Sequence, residues 1–132
     1  MEDISIYFQL LTSFLSIVIL LAIFFRYYQY KKKLEVLKEL NKLKEQNLLS
    51  AKDKDFIKTN HKEYKNLLKK DEERIKLIYP LFILIAGVLF AFLPLGEVVI
   101  YINVLIVSYI YLQIIKIHNK NFEAFLKELQ ED

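Results

Sequence analysis

Residues 4–25 read ISIYFQLLTSFLSIVILLAIFF, which is 22 consecutive positions without a charged side chain. Two further uncharged stretches follow at residues 77–95 and 98–115, with 19 and 18 positions. A helix of about 20 apolar residues crosses the hydrocarbon core of a bilayer. The three stretches therefore predict an all-α integral membrane protein with transmembrane helices at 4–25, 77–95 and 98–115.

The composition agrees with this division of the chain. Of its 132 residues, 55% are hydrophobic and 27% are charged. Both fractions are high for a soluble domain, so the two kinds of residue must be segregated. The chain is too short for a membrane bundle plus a soluble catalytic domain of ordinary size. It has no cysteine, which excludes disulfides, thiolate metal sites and cysteine nucleophiles.

The distribution of charge predicts the orientation. All 19 Lys and Arg residues lie in segments 26–76 and 116–132, which three spans would place on the same side. The positive-inside rule makes this side cytoplasmic, with the N-terminus outside and the C-terminus inside. Lysine outnumbers arginine 17 to 2, a hint of an AT-rich bacterial genome. We therefore expect a multi-pass protein of the bacterial cytoplasmic (inner) membrane.

Segment 26–76 is predicted to form a cytoplasmic antiparallel helical (coiled-coil) hairpin between the first two spans. The apolar face of its first arm comprises Val36, Leu37, Leu40, Leu43 and Leu48, with Leu34 at the margin. The second arm has a heptad seam with two polar interruptions, formed by Ile57, His61, Tyr64, Leu68, Asp71, Ile75 and Ile78. Between the arms, Ser50 and Asp53 have the spacing of a helix capping box.

Two interpretations of this hairpin stay open: a solvated spacer, or an arm that contacts a partner. Its 16 basic and 9 acidic residues give a net charge of +7, which would attract acidic proteins or anionic lipid. It has no RNA-binding signature, so nucleic acid is not an expected partner.

The first span contains a polar stripe at spacings i, i+3, i+4 and i+7, which comprises Gln9, Thr12, Ser13 and Ser16. These positions lie within about 100° of one another on a helix. One interpretation is close helix packing with shared hydrogen bonds. The other is the lining of a hydrated groove that contacts the polar groups of a client protein.

Three other features of the helices carry predictions. Gly87 and Ala91 have the small-x-x-x-small spacing of a helix-packing face. Pro80 should kink or break a helix near residues 76–80 and is a candidate hinge. The tail 116–132 has Phe122, Phe125, Leu126 and Leu129 on one face, so it should be an amphipathic helix that lies on the inner leaflet or docks on the hairpin.

The sequence contains no group of residues typical of a catalytic or metal-binding site. No Asp, Glu, Lys, Arg or His lies within a span, which argues against an ion-driven transporter or motor. Glu97 is compatible with an acidic ring at the mouth of an oligomeric ion channel, although a lone acid at a helix N-terminus is more often simply solvated. His61 and His118 are isolated, without the paired ligands of a metal site. We expect no enzyme, no catalytic residue, no cofactor, no metal and no small-molecule substrate.

The order of segments resembles the minimal three-helix members of the YidC-type membrane insertase superfamily. The resemblance covers the whole chain and rests on topology, hairpin placement and segment lengths. It implies a polar intramembrane groove that shelters hydrophilic parts of a client, with the stripe of the first span as candidate lining. The expected function is a membrane chaperone or insertase-like factor for one or a few membrane-protein clients. The alternative is a structural or assembly subunit of a larger membrane complex.

Overall fold

The computed structural model describes residues 2–130, with side chains from residue 5 onward. It consists of three helices, α1 (Glu2–Glu45), α2 (Ala51–Phe92) and α3 (Leu95–Gln130). Each contains a segment long and apolar enough to cross a membrane. The prediction of an all-α chain with three such helices is confirmed.

The connection between α1 and α2 is fixed by local hydrogen bonds at both ends. Asn47 has a left-handed backbone, with φ of 57°. Its N–H donates to the carbonyl of Lys44, and the N–H of Leu48 donates to that of Leu43. This is a Schellman ending of α1, with Asn in the place that glycine usually takes. The chain then reaches the first turn of α2 within a few residues.

The predicted capping box at the start of α2 is confirmed. The N–H of Asp53 donates to Ser50 Oγ at 3.0 Å, and the N–H of Ser50 donates to Asp53 Oδ2 at 3.1 Å. The two residues thus satisfy each other's free backbone donors. Aspartate performs here the role that glutamate or glutamine performs more often.

The connection between α2 and α3 is shorter and contains Leu93 and Pro94. The carbonyl of Pro94 accepts hydrogen bonds from the N–H groups of Glu97 and Val98, which closes the first turn of α3. Helix α2 continues through Pro80 from Ala51 to Phe92. The break predicted as one outcome near residues 76–80 does not occur, because one missing N–H leaves the rest of the backbone ladder intact. The hinge role of Pro80 stays a prediction.

The helices contribute to two compact units, and each helix takes part in both. Unit 1 comprises Met1–Phe24 and Glu73–Ile114, and unit 2 comprises Phe25–Glu72 and Ile115–Asp132. The division in α1 and α3 falls within one residue of the ends of the uncharged stretches 4–25 and 98–115. Unit 1 therefore holds nearly all of the uncharged sequence.

Unit 1 buries little of its apolar surface. In the most apolar 18-residue window of α1, α2 and α3, the buried share is 6%, 0% and 11%. Large side chains such as Phe24, Leu84 and Phe90 are more than half exposed. Monomeric soluble proteins rarely expose contiguous apolar surface of this extent. Such helices are compatible with a membrane protein, in which lipid covers these faces.

Unit 2 has a hydrophobic core to which all three helices contribute. Its buried members are Leu37 and Leu40 of α1, Ile57 and Tyr64 of α2, and Phe122, Leu126 and Leu129 of α3. The segment predicted as a separate tail is the last part of α3, since no glycine or proline interrupts the helix after Ile115. Its apolar face packs against α1 and α2 in this core, which is the outcome predicted as docking on the hairpin. Residues 131 and 132 of the predicted tail lie outside the described residues.

The predicted apolar face of the first arm needs a correction. Val36 and Leu48 are exposed, whereas Leu34, placed at the margin, packs against the core together with Tyr30. Leu48 lies beyond the end of α1 at Glu45, so a helical projection does not apply to it. In this part of α1, Leu37 is buried, and Tyr30 and Leu34 pack against the core. These three residues lie on the stripe of α1 that faces both α2 and α3.

Candidate functional site

The residues of the polar stripe of α1 differ in how far they are exposed in the structure. Ser16 is buried, with 5% of its surface exposed, and its hydroxyl has no hydrogen-bond partner among the described residues. Thr12 is half-buried, and its Oγ1 donates to the carbonyl of Phe8 at 2.7 Å. Ser13 is exposed. Of the serine and threonine side chains in the stripe, Ser13 is thus the one that a neighbouring molecule can reach most readily.

Gln9 belongs to a short polar chain near the start of α1. Its Nε2 lies 3.5 Å from Ser5 Oγ, which donates to Glu97 Oε1 at 3.2 Å. Sequence analysis missed Ser5, although it lies one turn before Gln9 on the same face. Glu97 is in the first turn of α3, as expected for an acid at a helix N-terminus. The contact connects the first turns of α1 and α3.

The two small residues that were predicted to form a helix-packing face on α2 are not buried. Gly87 and Ala91 are exposed, and a Cβ atom built at Gly87 meets nothing within 4 Å. Among the described residues, no neighbouring helix therefore lies close to the Cβ position of Gly87. The role of the two residues in helix packing stays a prediction for contact with another molecule.

Every position of the predicted seam of α2 is buried or half-buried, and its two polar interruptions are paired with α3. His61 Nε2 lies 2.9 Å from Glu123 Oε1, and Asn119 Nδ2 donates to Asp71 Oδ2 at 2.6 Å. Asn119 and Glu123 are four residues apart and thus lie on one face of α3. These pairs fix the register of α3 along α2. The sequence alone did not predict them.

A basic cavity of about 570 Å³ lies in unit 2. Arg26, Lys32 and Lys33 of α1 contribute its cationic side chains, and His118 and Asn119 of α3 line it as well. None of the described residues that line it carries a carboxylate. We call this space the basic cavity. It combines positive charge with donors from two helices.

Aromatic rings form part of the wall of the basic cavity. The Tyr30 and His118 rings are stacked, with centroids 4.1 Å apart and an interplanar angle of 16°. Lys33 Nζ lies 4.4 Å from the centroid of the Tyr64 ring and 5.9 Å from that of Phe122. These distances are within the range of cation–π attraction. The cavity therefore presents charge on one side and flat apolar faces on another.

Two groups that line this cavity have pKa values below their ordinary ones. Burial lowers the pKa of the Lys33 ammonium, an effect that the carboxylate of Glu63 partly opposes. It also lowers the pKa of His118, and the guanidinium of Arg26 lowers it further. Both effects favour the neutral form of the His118 ring.

Sequence analysis did not find the basic cavity, although a signal was present. Helices α1 and α3 would cross a membrane in the same direction, so residues just beyond the ends of their uncharged stretches lie at similar depth. Tyr30 follows Phe25 by five residues, and His118 follows Ile115 by three. That comparison would have placed the two rings together.

In comparisons with protein-family models, with curated proteins and with solved structures, nothing matches this chain. The resemblance to YidC-type insertases therefore stays a prediction from topology. Among the described residues, no group of three or more His, Cys, Asp or Glu side chains is arranged to hold a metal ion.

Proposed function

We propose that this protein is a membrane-integrated chaperone or insertase-like factor that assists one or a few membrane-protein clients. In this proposal it spans the bacterial inner membrane three times, with its N-terminus outside. Unit 2 would then contain a basic cytoplasmic hairpin formed by α1 and α2. It would act without a cofactor, by contact alone.

The observation that carries the proposal is the exposed hydroxyl of Ser13 on a helix whose apolar window is only 6% buried. A client helix that packs against α1 would meet apolar side chains along most of its length and a polar group at Ser13. A polar group in hydrocarbon costs several kcal/mol, on the order of 2–7, when it lacks a partner. Ser13 would lower this cost for a client during insertion.

Photo-crosslinking tests the proposal, with positions chosen by exposure. A photoreactive residue in place of Ser13 should capture another membrane protein. The matched control is Leu11, which is exposed on the other side of α1 at nearly the same depth. A probe at buried Ser16 should give mostly crosslinks within the chain. Equal capture of proteins from positions 11 and 13, or crosslinks from position 13 only to lipid, would contradict a client-binding face.

Deletion of the gene followed by quantitative membrane proteomics tests the same proposal in the cell. Loss of one or a few membrane proteins is the expected result. A membrane proteome that is unchanged after deletion would count against the chaperone.

The exposed small residues of α2 favour a second candidate function, that of a subunit fixed in a larger membrane complex. None of the apolar window of α2 is buried, and a Cβ atom built at Gly87 meets no atom of another helix within 4 Å. A partner helix could approach closely there. Gly87→Leu should then abolish stoichiometric co-purification, whereas Val88→Leu on a neighbouring exposed face should not. Transient, substoichiometric association would favour the chaperone instead.

A further inference from the structure

The basic cavity concentrates positive charge along its wall. Three cationic side chains, Arg26, Lys32 and Lys33, line it. Among the carboxylates of the described residues, Glu63 raises the pKa of Lys33, and Asp71 accepts a hydrogen bond from Asn119. Both carboxylates lie outside the lining. An anion inside the cavity would therefore meet cations before it met a carboxylate.

The donors of the cavity suit a phosphate group. A guanidinium and two ammonium groups provide charge-assisted hydrogen bonds to phosphate oxygens. The amide of Asn119 adds a neutral group at the wall. Lys33 lies over the Tyr64 ring in a partly desolvated position, where an anionic neighbour would stabilise its charge.

The position of the cavity along the helices indicates where that phosphate comes from. Arg26 directly follows the uncharged stretch 4–25, and Ile115, which also lines the cavity, ends the uncharged stretch 98–115. In a chain that crosses a bilayer, these residues lie at the depth of the lipid headgroups. The stacked rings of Tyr30 and His118 add the amphipathic surface that favours this layer.

From these observations we infer that the basic cavity binds the phosphate group of an anionic phospholipid. The headgroup phosphate contacts Arg26, Lys32 and Lys33, and the acyl chains extend along the apolar helices. The site goes beyond the proposed chaperone function, because it needs only the membrane location and no client. A soluble phosphate would use the same cationic groups, so the experiment must distinguish the two sources.

Native mass spectrometry of the full chain in detergent measures the binding. The lipid probes are phosphatidylglycerol and the zwitterionic phosphatidylcholine, and the soluble probes are inorganic phosphate and glycerol phosphate. Phosphatidylglycerol should bind at lower concentration than phosphatidylcholine and should resist competition by the soluble probes. Binding of inorganic phosphate as tight as that of phosphatidylglycerol would overturn the assignment to lipid, and so would equal affinity for the two lipids.

Three variants test whether the cavity holds the headgroup. Lys33→Gln should weaken the binding of phosphatidylglycerol roughly tenfold, since it removes a hydrogen bond from a charged donor. Lys32→Gln should weaken it in the same direction, and its side chain is exposed enough that the fold should tolerate the change. The matched control is Lys31→Gln, which removes the same charge from a side chain that does not line the cavity. Lys31 and Lys32 are otherwise alike, since each ammonium lies over the ring of the tyrosine four residues before it.

The pattern of the three variants decides the inference. Weakening in the variants at positions 32 and 33 with unchanged binding in the control supports it. An equal loss in all three variants would show diffuse attraction to the basic surface and would overturn the site. Unchanged binding in Lys32→Gln and Lys33→Gln would overturn it as well. Circular dichroism verifies that each variant is folded, and if Lys33→Gln is not, the difference in binding between Lys32→Gln and Lys31→Gln is decisive.

Discussion

Two polar side chains in the seam of α2 have partners of different kinds on α3. His61 lies beside the carboxylate of Glu123, while the carboxylate of Asp71 accepts from the amide of Asn119. Asp71 is 7% exposed, so its pairing is the one shielded from water. A buried polar pair with matched partners contributes more to the choice of register than to net stability, because desolvation offsets much of the attraction.

Asp71→Ala should destabilise the protein by about 1–3 kcal/mol, the cost of leaving a shielded donor on Asn119 without its acceptor. Asp71→Asn keeps an acceptor oxygen and should cost less. Unfolding of the full chain in detergent, followed by circular dichroism, measures both. The control is Glu72→Ala, which removes the same charge from an exposed neighbour. An equal effect of the changes at positions 71 and 72 would mean that charge, and not the hydrogen bond, matters.

His118 should make stability depend on pH. Its pKa in the folded state is lowered, by burial first and by Arg26 second. The unfolded chain therefore binds the proton more readily, and stability is complete above the unfolded value near pH 6.5 and falls as the pH decreases below it. His118→Gln should remove this part of the pH dependence of the unfolding midpoint in a zwitterionic detergent. The comparison variant is His61→Gln, which should keep it, and a slope that persists in His118→Gln would refute the assignment.

At the scale of elements, α3 is the helix that completes the core of unit 2. Phe122, Leu126 and Leu129 are nearly fully buried against α1 and α2, and the Tyr30 ring packs on Phe122 with centroids 5.0 Å apart. The charged segment 26–76 therefore does not form this core by itself. Its two arms share that core with the last turns of a third helix.

Leu126→Ala should destabilise this core by about 2–5 kcal/mol, the usual range for a leucine removed from a fully buried site. Leu126 is 0% exposed. Lys127→Ala, one residue further on the exposed face, should have little effect. Limited trypsin digestion reports the result, since trypsin can cleave after the exposed lysines of residues 31–70 once the helical backbone around them unfolds locally. If Leu126→Ala resists trypsin as well as the unchanged protein does, the contact of α3 is not needed for the stability of this core.

The elements themselves could be predicted from the sequence, because their signals are local. The lengths of the three uncharged stretches predicted the apolar helices, and the spacing of Ser50 and Asp53 predicted the start of α2. The heptad spacing from Ile57 onward selected the face of α2 that the structure buries.

The candidate site could be predicted only in part, because burial depends on neighbours that periodicity does not identify. The same spacing joined Ser13 and Ser16, yet one is exposed and the other is buried. Val36 was assigned to the apolar face since the position of α3 was unknown. The basic cavity needs side chains from α1 and α3 that are about 90 residues apart in sequence.

At the scale of the whole molecule, cysteine labelling tests the proposed orientation in a bilayer. The chain has no cysteine, so single cysteines can report accessibility without background. Gly96→Cys, where a new side chain meets nothing within 4 Å, should react with a membrane-impermeant maleimide on intact spheroplasts. Gln46→Cys in the α1–α2 connection should react only after permeabilisation. The reverse pattern would invert the proposed topology, and reaction of both before permeabilisation would exclude it.

The shared core of unit 2 also has a consequence for biosynthesis. Its first buried residue along the chain is Leu37 and its last is Leu129, so the core cannot close until the ribosome has released the chain through Leu129. In many multidomain proteins, by contrast, an N-terminal domain folds while the rest of the chain is still being synthesised. Until α3 emerges, the apolar faces of α1 and α2 are available to chaperones and proteases. Closure of this core thus marks the moment when all three helices have been made and brought together.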